Sequence, residues 1–107
     1  MEIDRELLEL AAMAVGAKPS QEDGVIYAGF GSREWNPLTD DGDALRLAVK
    51  LGIGMRHHVN WSQVFSINTG IYDFKHNGDQ YAATRRAIVL AAAEIGCEKQ
   101  NEASNEN

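Results

Sequence analysis

Residues 53–74 read IGMRHHVNWSQVFSINTGIYDF, and this stretch decides the fold class. It holds three runs rich in β-branched and aromatic residues, separated by turn formers. Ile53 to His58 reads as one strand, Trp61 to Ile67 as the next and Ile71 to Phe74 as the last. Val59-Asn60 supplies the first turn. Asn68-Thr69-Gly70 reads as a three-residue hairpin loop, with its glycine placed for a positive φ. Along the middle strand, side chains alternate between the two faces. Trp61, Phe65 and Ile67 therefore share one face, and Val64 takes the other. The pattern is a β-meander.

Outward from the meander the period changes to that of helices. Upstream, Asp40 to Leu51 reads as a helix in which only Asp43, Arg46 and Lys50 make a polar strip. Such a helix is mostly buried, or is covered by a second copy of the chain. Gly52 followed by Ile53 fits a Schellman ending. Farther upstream, residues 2–15 place Ile3, Leu7, Leu10 and Ala14 on one stripe, with Gly16 as its cap. Val25 to Phe30 reads as a further strand. Downstream, Asn77-Gly78-Asp79 opens a helix over 79–97. Tyr81, Thr84, Ile88, Ala91, Ala92 and Ile95 form its main apolar face, and Ala83, Ala87 and Leu90 a weaker one whose small side chains allow close helix approach. The polar tail 98–107, without aromatic or β-branched residues, reads as disordered. The order α-β-α-β-β-β-α predicts a single α+β domain over 1–97. It is an α-β-α layered sandwich with an antiparallel sheet of three to four strands and three helices.

The 107 residues carry a net charge of −6. That opposes broad nucleic-acid binding, which relies on neutralising cations, and suits a basic protein partner. One cysteine, Cys97, allows no internal disulfide and fits a reducing compartment. The opening residues Met1 to Glu6 are charged and hold no apolar signal core, and no apolar run is long enough to span a membrane.

Asp40, Asp41 and Asp43 are the first candidates for chemistry. A calcium loop needs oxygen ligands at alternate positions and an acid at the twelfth. Counted from Asp40, those positions fall on Gly42, Ala44 and Leu51; counted from Asp41, the fifth is Leu45. Both registers fail. A looser magnesium site, and with it a metal-dependent hydrolase, would need distant help from Asp73 or Asp79. The simpler reading is a helix start, with Thr39 or Asp40 as cap, Asp43 as the partner in a capping box, and all three charges at the positive end of the dipole.

His57 and His58 are neighbours on a strand and point to opposite faces, so they do not chelate one ion together. Either can meet His76 across the hairpins. Ser62 and Ser66 lack a Gly-x-Ser-x-Gly setting, and Gly29-Phe30-Gly31-Ser32 lacks the phosphate-binding spacing. No catalytic residue, metal ligand or cofactor is expected. The binding candidates are Arg33, Trp35, Asn36 and Arg56: a Trp-Asn-Pro connection that closes the core or faces a partner, and cations for an anionic group. Arg85-Arg86 is a further anion candidate, or else pairs with the abundant carboxylates.

WNPLTDDGDALRLAVKLG at 35–52, DRELLELAAMAVG at 4–16 and YAATRRAIVLAAAEIG at 81–96 resemble small tailed-phage and prophage proteins of the phage ABA-sandwich domain family. The resemblance implies an α-β-α layered fold, an accessory role in phage and residence in the bacterial cytoplasm. It implies no catalytic residues. The function expected is a non-enzymatic module that binds a host or phage protein, as a homo-oligomer through helices 40–51 and 79–97. The alternative is a binder of a small nucleotide-like ligand, with Arg33, Trp35 and Arg56 around it.

Overall fold

A meander occupies the middle of the chain, as its turn residues demand. The computed structural model describes residues 2–16, 34–67 and 70–105. They form α1 (Glu2–Ala14), α2 (Asp41–Leu51), β1 (Gly54–His57), β2 (Trp61–Ser66), β3 (Gly70–Lys75) and α3 (Gln80–Asn105). The three strands make one antiparallel sheet in the order β1-β2-β3. Val59-Asn60 is the first turn, closed by the His58 N–H donating to the Trp61 carbonyl at 2.8 Å. Gly70 takes φ 81°, the left-handed conformation its place in the second hairpin requires. The strand expected at 25–30 lies outside the described residues.

Each helix end follows a local rule. Asp40 is the N-cap of α2, and its carboxylate accepts the Asp43 N–H. At the other end Gly52 is left-handed. The Ile53 N–H reaches the Ala48 carbonyl and the Gly52 N–H the Val49 carbonyl, the two bonds of a Schellman motif. Asn77 and Gly78, both at positive φ, turn the chain into α3. There Asp79 accepts the Ala82 N–H at 3.0 Å.

α3 is the centre of the molecule. It packs against α1, α2, β2 and β3. Ala87 to Val89, Ala91 to Ala93, Ile95 and Gly96 are all buried, so burial runs almost around its circumference. Its small residues set the distance to α1. A Cβ built on Gly96 would lie 1.8 Å from the Leu10 carbonyl oxygen, so only glycine fits that crossing. One hydrophobic cluster joins Ala11 and Ala12 of α1, Trp35, Leu47 of α2, Val64 of β2 and Ile88 of α3. Each large aliphatic side chain buried there contributes roughly 1.5–3 kcal/mol.

The sheet has two unlike faces. Met55, Val64, Tyr72 and Phe74 lie on the inner face, against the helical core. Trp61, Phe65 and Ile71 alternate with them and stay exposed on the outer face.

Four expectations change. Asp43 is not part of a solvated strip but is 1% exposed, because its carboxylate turns back to bond the preceding turn. Tyr81 is 63% exposed rather than core. Leu90 is exposed as well, on a strip shared with Arg86 and Glu94. α3 continues to Asn105, so 98–105 is helical and not a structureless tail. Glu, Lys, Gln and Ala are good helix formers. Lys99 also ties the extension to α1, its Nζ donating to the Ala14 carbonyl at 2.7 Å.

Candidate functional site

The stretch from Trp35 to Asp43 is a structural knot. Trp35 is 9% exposed and belongs to the core cluster. Asn36 spends its groups on the backbone. Its Oδ1 accepts the Leu38 N–H at 3.0 Å, its carbonyl accepts Thr39 and Asp40, and its own N–H donates to Asp43 Oδ2 at 2.9 Å. Asp43 Oδ1 accepts Arg46 Nη2 at 2.8 Å. A buried carboxylate is tolerable only with such donors and with the positive helix end beneath it. Asp41 pairs instead with Arg85 Nη1 at 2.6 Å, while Arg85 Nε donates to the Leu38 carbonyl at 2.9 Å. Arg86 pairs with Asp4 at 3.1 Å. Among the described residues, no three His, Cys, Asp or Glu side chains are grouped to hold a metal ion.

Of the three binding candidates among the described residues, Trp35, Asn36 and Arg56, only Arg56 lies on an open surface. Alternation along β1 puts it on the outer sheet face. There it lines a depression of about 540 Å³ with Phe65, Ile67, Gly70 and Ile71. Ile67 is fully exposed and Ile71 68% exposed. Across the same face Gln63 bonds Asp73 at 2.8 Å, and the His58 ring stacks on Trp61 with centroids 4.1 Å apart. Trp35, buried in the core cluster, is not among the described residues that line this depression. Arg33 lies outside the described residues.

The inner face carries an arrangement that residue types alone did not reveal. His57 and Ser62 are register partners on β1 and β2. His76 follows β3 and is fixed by its N–H donating to the Asn60 carbonyl. The three converge. His57 Nδ1 lies 2.9 Å from Ser62 Oγ, and Ser62 Oγ lies 2.7 Å from His76 Nε2. Ser62 is fully buried and His76 nearly so, whereas His57 is exposed. Sealed from solvent, Ser62 Oγ has no path to a substrate carbonyl, so this is not a nucleophile with its base. It is a hydrogen-bonded chain with one end in the open. The signal was the period of two: His57 and Ser62 share a face once the turn fixes the register.

His57 opens into a cleft of about 500 Å³ between α2, β1 and the first turns of α3. Ala44, Leu45, Met55 and Ile88 supply apolar wall, and Thr84 and the Arg85–Asp41 pair lie among its polar lining. His76 lines a second cavity, of about 470 Å³, with Asn60 and Asp79.

No family model matches the chain, and neither the curated proteins nor the solved structures contain a significant match.

Proposed function

We propose that the protein is a non-enzymatic interaction module whose outer sheet face binds another protein, in keeping with an accessory role in phage. The observation that carries this is the open depression in which Arg56 stands beside Phe65, Ile67 and Ile71. Apolar side chains left in water on one face mark a contact surface. The Arg56 guanidinium makes no ion pair or hydrogen bond among the described residues, so it is available to a carboxylate. The partner that fits presents an apolar side chain flanked by an acidic one, the pairing from which interface anchors are built.

The test is co-purification from phage-infected cells with three proteins: wild type, an Arg56→Glu/Ile71→Asp double variant, and a Glu98→Lys control on the far end of α3. A partner held by wild type and control but lost by the double variant supports the reading. A partner retained by the double variant, with its fold checked by circular dichroism, rejects this face.

Self-association through α2 is a second reading. Leu45 and Val49 stand exposed one turn apart, the latter at 73%. Light scattering that gives a monomer at micromolar concentration, for wild type and Val49→Asp alike, discards it.

A further inference from the structure

We propose that the cleft between α2, β1 and α3 binds a small, neutral, largely apolar molecule through a hydroxyl or ring N–H group, and that Ser62 and His76 set the proton that His57 presents to it. The site is separate from the outer sheet face and stands on three observations.

The first is the cleft itself. At about 500 Å³, lined by Ala44, Leu45, Met55 and Ile88, it has the size and apolar wall of a small-molecule site.

The second is its charge balance. Arg85 enters the cleft already paired with Asp41 at 2.6 Å and bonded to the Leu38 carbonyl. A ligand carboxylate would meet Asp41, and a ligand cation would meet Arg85. A neutral occupant avoids both conflicts.

The third is the His57–Ser62–His76 chain. A serine hydroxyl has one proton and lies here between two ring nitrogens; when that proton bonds one ring, the oxygen accepts from the other. This leaves two neutral arrangements. In one, His57 Nδ1–H donates to Ser62 Oγ, the Ser62 hydroxyl donates to His76 Nε2, and His57 Nε2 offers a lone pair to the cleft. In the other, His76 Nε2–H donates to Ser62, the hydroxyl donates to His57 Nδ1, and His57 Nε2–H is the donor. To pass from the first to the second, a proton binds His57 Nε2 from the cleft. The Nδ1 proton moves to Ser62 Oγ, the hydroxyl proton moves to His76 Nε2, and His76 Nδ1 releases one proton into the cavity that His76 lines with Asn60 and Asp79. Protons balance, and His57 switches between acceptor and donor with no net charge. A hydroxyl or ring N–H group, able to give or take a hydrogen bond, is the chemistry that matches such a nitrogen.

The probes are phenol and its methyl ether, anisole, which fill nearly the same apolar volume but differ in the donor. Nitrogen-detected imidazole spectra follow His57 and His76, and carbon spectra follow the Met55 methyl. Phenol is expected to shift Met55 and the ring nitrogens of both histidines, and to bind about two- to tenfold more tightly than anisole, the value of one neutral hydrogen bond. In Ser62→Ala the His76 response to phenol disappears while Met55 still shifts. His57→Phe, a change at an exposed position that leaves the buried pair intact, erases the preference for phenol. Equal affinity for phenol and anisole in wild type overturns the proposal. So does a Met55 methyl that phenol fails to move, or a His76 response that survives in Ser62→Ala.

Discussion

The backbone N–H of Asn36 donates to Asp43 Oδ2 at 2.9 Å, across seven residues and into a fully enclosed carboxylate. Asp40 performs the capping. Asp43 therefore does something different: it binds the Trp35–Pro37 turn to the first turn of α2, and so holds Trp35 against the core.

Asp43→Ala is expected to destabilise the fold by about 2–3 kcal/mol, the range for losing hydrogen bonds to a buried charged acceptor and leaving a donor unsatisfied. Arg46→Ala should cost less than about 1 kcal/mol, since that side chain is 62% exposed and its ion pair is screened. Urea unfolding of the two variants gives the comparison. Equal losses would contradict the assignment of the hub to Asp43.

Gly96→Ala should be more damaging than Gly52→Ala. At Gly96 a methyl group meets the Leu10 backbone, which forces α1 and α3 apart and costs at least about 1–3 kcal/mol as overpacking. At Gly52 nothing lies within 4 Å of the added Cβ, so only the left-handed strain of about 1–2 kcal/mol remains. Thermal melting in which Gly52→Ala loses more would show that the α1–α3 crossing is wider than described.

The two tryptophans should report opposite environments. Trp35→Phe leaves Trp61, half-exposed beneath His58, with red-shifted emission that acrylamide quenches readily. Trp61→Phe leaves Trp35, with blue-shifted emission that resists quenching. Equal quenching constants for the two variants would place Trp35 at the surface.

Lys99→Ala should destabilise by about 0.5–1.5 kcal/mol, since it frees the Ala14 carbonyl at the end of α1. Glu98→Ala, one residue earlier and exposed, serves as the neutral control. Amide hydrogen exchange should show faster exchange in the last turn of α1 for the lysine variant alone.

The meander was legible because Val59-Asn60 and Gly70 are turn chemistry and the strands between carry β-branched and aromatic residues. The cap and the Schellman end of α2 were legible for the same reason: each depends on neighbours in sequence. Asp43 was misread because a helical wheel scores polarity, whereas its burial comes from a hydrogen bond to Asn36 outside the helix. The end of α3 was misread because composition does not show Lys99 reaching the Ala14 carbonyl. The His57–Ser62–His76 chain needed both hairpin registers at once, and no single run of residues contains it.

The central place of α3 also governs when the fold can exist. Among the described residues, α1, α2, β2 and β3 all pack against α3, which the ribosome makes after them. Until α3 emerges, α1 lacks its main packing partner among the described residues, and Val64 and Met55 of the meander lack the helix that covers them. Completing the core thus waits on contacts distant in sequence, which slow folding. During synthesis the inner face of the meander, with Met55 and Val64, stays open to aggregation until α3 arrives.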